Sequence, residues 1–251
     1  MRIFLFFCCI FGALAHAFEN KISLPILEVH EQTITTPAMN LRRGESGFVL
    51  HQLDSTHTMM LARAVVVRVE DSRATLALRP LELFENRAMP LPLLTPQVGD
   101  QVVLRAFYNR AFIIAPNQQV YRAIAAQYPN IEWLHPDLFA AFLANQGRAA
   151  PTMEHFHEIC NAYATDIVYL VRENSGELRD CRTFALLRRD TIASNEEQIK
   201  PFFSRLGNME RSWIGFLRRD PQVIDYYRYY DDLIHEFARA NKDIADVIEQ
   251  K

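Results

Sequence analysis

The sequence predicts an α+β fold in three parts: a small β-barrel-like N-terminal half, an α/β C-terminal half and a C-terminal helical arm. Three observations predict it. Residues 22–115 break into short β-branched and aromatic runs separated by turn residues. From Pro116 the apolar residues recur at helical spacing. After Asp220 they keep a three-and-four rhythm almost to the last residue. The expected boundaries are 1–17 for a leader, 18–115 for the β-rich domain, 116–192 for the α/β domain and 193–251 for the C-terminal helices.

The leader comes first. "MRIFLFFCCIFGALAHAFEN" carries one early cation, Arg2, an apolar run from Ile3 to Ala15, and the small-x-small site Ala15-His16-Ala17. That is the pattern of a secretory signal peptide cleaved after Ala17. The run is shorter than the roughly 20 apolar residues a membrane span needs, and charges interrupt every later apolar block. Phe6 and Phe7 precede Cys8, where a lipidated cysteine wants small neighbours, so Cys8 and Cys9 leave with the leader. The mature chain is thus expected to be exported, to the periplasm or the cell surface, without a transmembrane anchor. The full sequence has a formal net charge of −3, which gives no basic excess and argues against nucleic acid as the partner.

In the β-rich part, "ILEVHEQTITT" alternates in places and "GFVLHQL" follows the turn-prone "RRGESG". "TMMLARAVVVRVE" and "RATLALRP" flank "EDS" as a hairpin. "ENRAMPLPLLTPQVGD" holds Pro90, Pro92 and Pro96 and reads as an extended crossover. "GDQVVLRAFYNRAFIIAP" offers two strands joined around Tyr108-Asn109-Arg110. Short strands at this spacing suggest a closed or nearly closed barrel.

The α/β part opens with "NQQVYRAIAAQY" as a helix, followed by "IEWL" as a short buried strand. "DLFAAFLANQG" is a helix with Asp137 as cap and Gly147 as stop. "PTMEHFHEICNAY" starts at Thr152 and turns Phe156, Ile159, Cys160 and Tyr163 inward. "DIVYLVRENSGELRDCRTFALLRR" reads as a hairpin about Asn174-Ser175-Gly176. Cys160 and Cys181 are the cysteines left after cleavage. In an oxidising compartment the expectation is a disulfide, worth about 3 kcal/mol in unfolded-chain entropy; the alternative is a pair of buried thiols.

In the tail, "SNEEQIKPFFSRL" begins with a helix-capping signature at Ser194 or Asn195. Asp220 and Pro221 read as cap and first residue of a last helix. Val223, Tyr227, Tyr230, Ile234, Phe237, Asn241, Ile244 and Ile248 then form a heptad seam. Such a seam suits docking on the chain's own domain, a coiled coil or a partner's groove. Tyr226 and Tyr229 fall off the seam and read as exposed.

Chemistry is sparse. His155, His157, Glu158 and Cys160 share one helix, but no three of them stand at metal-ligand spacing. Gly44-Glu45-Ser46-Gly47 is one residue short of a nucleophile elbow and opens a strand, so a tight turn accounts for it. No phosphate-binding loop is present. The reading is a non-enzymatic protein with no metal and no cofactor.

"RGESGFVL", "PQVGDQVVL", "FIIAPNQQVYRAI", "PTMEHFHEICNAYATDIVYLV" and "DCRTF", in this order over residues 20–190, resemble the N-terminal domain of plasminogen-binding proteins of Helicobacter and related epsilonproteobacteria. That resemblance implies an envelope or surface protein that binds host plasminogen through lysine-recognising kringles. A different expectation, resting on the heptad arm, is a periplasmic structural adaptor in an envelope or flagellar assembly. The chain has 23 arginines and four lysines, and the sequence closes on one of the four, Lys251. A C-terminal lysine carries ammonium and carboxylate on one residue. Lys251, with Lys242 as a second site, is therefore the expected plasminogen contact; the bland reading is a cation suiting a helix end.

Overall fold

The structure, a computed structural model, describes residues 21–81, 94–193, 197–206 and 223–249, with side chains as far as Ala240. Residues Ile22–Pro25 (β1), Glu28–His30 (β2), Thr33–Pro37 (β3), Ser46–Gln52 (β4), Thr58–Val69 (β5), Arg73–Arg79 (β6) and Gln101–Leu104 (β7) form one antiparallel sheet of seven strands, in the order β1-β7-β4-β5-β6-β3-β2. β1 and β2 are its two ends, yet only Ile26 and Leu27 separate them in the chain. Two residues reach at most about 7 Å, so the sheet must curl until its edges approach. The Ile26 N–H donates to the Asp100 carbonyl and the Leu27 N–H to the Thr35 carbonyl, both at 2.8 Å. The concave side is filled by Leu24, Ile34, Val49, Ala64, Leu76 and Val102, all buried. This is a packed, curled sheet rather than an open channel.

The second sheet has five strands: Arg110–Ile114 (β8), Glu132–Leu134 (β9), Ile167–Val171 (β10), Ser175–Asp180 (β11) and Leu186–Thr191 (β12), in the order β12-β11-β10-β8-β9. β8 runs parallel to both β9 and β10, while β11 and β12 are antiparallel. Parallel neighbours need crossovers. Gln118–Gln127 (α1) supplies one, and Pro136–Asn145 (α2) with Met153–Ala162 (α3) supplies the other. The last helix is Tyr226–Glu249 (α4). Alternation along β8 and β10 sends Phe112, Ile114, Val168 and Leu170 to a core shared with α2, α3 and α4. It sends Ala111, Ile113, Ile167 and Tyr169 to a second core shared with α1. The sheet is therefore covered on both faces, which its unbroken apolar strand IVYLV requires.

Several expectations need correction. β7 and β8 are not hairpin partners: the chain leaves the first sheet at Arg105, which takes a left-handed φ of 58°, and enters the second at Arg110. β12 adds a third strand to the expected hairpin. α2 is capped by His135, with Pro136 at its first position, rather than by Asp137. Asp137 instead accepts hydrogen bonds from the backbone and guanidinium of Arg205, each at 2.7 Å. Those bonds outweigh the upward push of burial and hold its carboxyl below the usual range. Residues 197–206 are not helical. They run as a strap past the end of β8: the Ile199 N–H donates to the Pro116 carbonyl at 2.6 Å and the Phe203 N–H to the Ala115 carbonyl at 2.8 Å. Pro201 cannot donate to a helical ladder, and burying Phe202 and Phe203 compensates for the helix not made. Ser194, Asn195, Asp220 and Pro221 lie outside the described residues, as do the leader and most of the proline-rich crossover.

Candidate functional site

Helix α4 begins where Asp225 accepts from the Arg228 N–H at 3.0 Å, an N-cap close to the start of the expected seam. Three of the four tyrosines in its first turns then fasten it to three different carbonyls. Tyr226 donates to Ile114 at the end of β8 (2.8 Å), Tyr229 to Pro151 ahead of α3 (2.6 Å), and Tyr230 to Pro201 in the strap (3.0 Å). Tyr226 and Tyr229 are thus not an exposed pair: Tyr226 is fully buried and Tyr229 half-buried. The buried stripe is Tyr226, Tyr230, Leu233 and Phe237, rotated slightly from the seam read in the sequence. Tyr227 and Ile234 flank it, and Val223 is half-buried just before the helix. Phe237 stacks on Phe184 with ring centroids 3.8 Å apart. Asn241, Lys242, Ile244 and Ile248 continue along the same helix, their side chains outside the described set. Lys251 lies outside the described residues.

Docking α4 and the strap here has a chemical consequence. Sheets with parallel strands offer ligand crevices outside the carboxyl ends of those strands, and β8 is the central one here. That place is taken by the chain itself, through Phe202, Phe203 and Tyr226. Asn117 caps α1 with its carbonyl oxygen on the Val120 N–H (3.0 Å) and donates its amide to the Glu197 carbonyl (3.1 Å). The helix residues weighed for metal binding are also engaged: His155 accepts from the Thr152 N–H at 3.0 Å, and His157 contacts the Arg182 carbonyl at 2.8 Å. Cys160 and Cys181 form a disulfide that ties α3 to the turn after β11.

The sequence reading missed the junction between the sheets. Asp180 is fully buried and accepts the Ser46 and Tyr108 hydroxyls, each at 2.6 Å, on one oxygen. Its other oxygen accepts the Arg182 N–H at 2.8 Å and the Thr183 N–H at 3.0 Å. Burial first, then the Asp180 charge, drives the Tyr108 hydroxyl to far weaker acidity. The Thr183 hydroxyl reaches back to the Gly44 carbonyl at 2.6 Å. Gly44 has φ +90°, and a Cβ there would stand 2.2 Å from that of Ala185. Beside this node Arg63 of the first sheet meets Asp166 at 3.4 Å and Asn161 at 3.0 Å. RGESG and DCRTF are therefore two halves of one buried joint. The signal was present in the glycines of RGESG and in the Asp of DCRTF followed by a Thr three residues on, but nothing local links them.

Residues 21–234 match the family model described as plasminogen-binding protein pgbA N-terminal. The chain belongs to that family. Two relatives are both called plasminogen-binding protein PgbA, from Helicobacter pylori strains ATCC 700392 / 26695 and J99. They are 30% and 29% identical over 221 residues, which is 87% of this chain and 48% of theirs. The chain thus spans about half the length of these curated relatives. No solved structure matches it. The family match takes in the whole joint and the docked start of α4, and stops before Lys242 and Lys251. Within it the lysines are Lys21, exposed at the start of β1, and Lys200, whose ammonium donates to the Ile224 carbonyl. Among the described residues no helix is long and apolar enough to cross a membrane.

Proposed function

We propose that this chain is an exported, non-enzymatic binding protein of the cell envelope or surface whose partner is plasminogen. The observation that carries the proposal is the family match over residues 21–234 together with two relatives named for plasminogen binding. Both relatives are named for binding and not for catalysis, which supports the non-enzymatic reading. The proposed contacts are Lys251, and more weakly Lys242. A kringle lysine site pairs an anionic centre with the ammonium, a cationic centre with the carboxylate, and aromatic rings between them. A lysine with a free carboxylate offers both charges at fixed separation, and its four-carbon stem fills the aromatic trough. Arginine is a poor substitute because its planar guanidinium has a different shape from a compact ammonium. Helix α4 continues past Phe237, its last described buried residue, and includes Lys242.

The test is capture of plasminogen by the immobilised protein, followed by elution with a free lysine analogue. Retention that the analogue releases supports the proposal, and no retention refutes it. Protease shaving of intact cells checks the location: a surface protein is cut, whereas one confined to the periplasm is spared.

A further inference from the structure

We propose that the cleft between the outer face of the curled sheet and helix α4 binds a long-chain carboxylate, its head on arginines and its tail along an apolar wall. The cleft has a volume of about 530 Å³, within the roughly 300–1,000 Å³ usual for small-molecule sites. Its floor is made by alternation on β5. Ala62, Ala64 and Val66 point into the first core, while Arg63, Val65 and Val67 line the cleft. The ladder to β6 skips Val67, which is the extra residue of a β-bulge and bends the strand there. The facing wall is Ile234, Phe237, Ala238 and Ala240 of α4, and Phe184 closes one end.

The charges decide the ligand's sign. Arg43, Arg63, Arg79, Arg179 and Arg182 border the cleft, and among the described residues no carboxylate lines it. Arg63 and Arg182 are already paired with Asp166, and Arg179 with Glu177, so these three set the field without being the main head-group contacts. Arg43 is exposed and Arg79 half-buried, and neither makes an ion pair among the described residues. An anion is attracted to this mouth and a cation is repelled. A small anion without a tail would forgo the apolar walls, and a flat ring system would find Phe184 already stacked on Phe237. A single hydrocarbon chain ending in a carboxylate satisfies both the walls and the mouth.

The experiment uses a dansyl-labelled undecanoate as fluorescent reporter on the purified protein, displaced by palmitate, hexadecyltrimethylammonium or butyrate below micellar concentrations. The expected result is displacement by palmitate, with the cationic amphiphile and butyrate at least about tenfold weaker. The double variant Arg43→Glu/Arg79→Glu touches no ion pair among the described residues and is expected to bind about tenfold more weakly, with its Tm unchanged. Ala238→Trp, an exposed helix position that fills the cleft, is expected to abolish displacement while α4 stays docked. No reporter binding, equal displacement by the cationic amphiphile, or unchanged affinity in the arginine variant would overturn the proposal. None of these outcomes depends on plasminogen.

Discussion

The Ser46 hydroxyl donates to the Asp180 carboxylate at 2.6 Å although 134 residues separate the two in the chain. Both are essentially inaccessible to water. Ser46 opens β4 of the curled sheet and Asp180 closes β11 of the second sheet, so this bond and its neighbours fix one sheet against the other. A buried carboxylate saturated by donors is costly to disturb, because each donor left without a partner keeps its full desolvation penalty.

Replacing Asp180 should therefore destabilise far more than a surface change. Asp180→Ala removes the acceptor of the Ser46 and Tyr108 hydroxyls and of three backbone N–H groups, those of Ser46, Arg182 and Thr183, and is expected to cost about 4 kcal/mol. Asp180→Asn keeps the shape but offers an amide to donors, and is expected to cost about 2 kcal/mol. Urea unfolding measures both. A loss under about 0.5 kcal/mol in either, typical of surface positions, would show that the joint contributes little.

Acid should loosen the edge of the second sheet through Glu177. Its side chain is fully buried and meets Arg172 at 3.1 Å and Arg189 at 2.8 Å, besides Arg179. Burial pushes this carboxyl up, but Arg179 and Arg172 outweigh it and hold its pKa below the ordinary value. A depressed folded-state pKa means the stabilisation is complete above the unfolded value near about 4.3 and fades as pH falls through the folded one. Glu177→Gln leaves the buried Arg179 guanidinium without its carboxylate, and is expected to cost about 3 kcal/mol at pH 7. That difference from wild type should shrink below about pH 4. Unfolding series from pH 3 to pH 7 for both proteins test it, and a constant or widening difference towards low pH contradicts it.

Helix α4 should prove divided between core and projection. Tyr226, Tyr230, Leu233 and Phe237 are buried, and burying each is worth about 1.5–3 kcal/mol. Their sum rivals the whole stability of a typical domain, about 5–15 kcal/mol. Ending the chain at residue 219 is thus expected to abolish cooperative unfolding, whereas ending it at residue 240 should leave Tm within a few degrees. Thermal melts by circular dichroism distinguish the two. A stable, cooperative protein ending at 219 would make α4 a detachable arm.

What was legible in the sequence follows from what is local. Period-two alternation in β5 and β6, the turn between them, and the cap at Thr152 depend on neighbours within a few residues. β1 is only ISLP, and nothing in those residues shows that the sheet closes around Leu24. PFF in the strap was read as helix because the capping signature before it is local, while the carbonyls of Ala115 and Pro116 that hold it straight are not. The tyrosines of DYYRYYDD illustrate the limit at the site. Their helical spacing located a buried stripe to within one residue. That Tyr226 and Tyr229 would also reach backbone carbonyls of β8 and the loop before α3 depended on tertiary placement that no spacing encodes.

The central proposal is that Lys251, two positions after Glu249 in the sequence, is what plasminogen recognises. The most direct measurement is plasminogen affinity by surface plasmon resonance for the intact protein and for the protein with Lys251 removed by carboxypeptidase, each with and without a free lysine analogue. The account predicts that removing Lys251 weakens binding at least about tenfold, or about 1.4 kcal/mol. It also predicts that the analogue abolishes what binding the intact protein shows. Binding that survives both the removal of Lys251 and an excess of the analogue would contradict it.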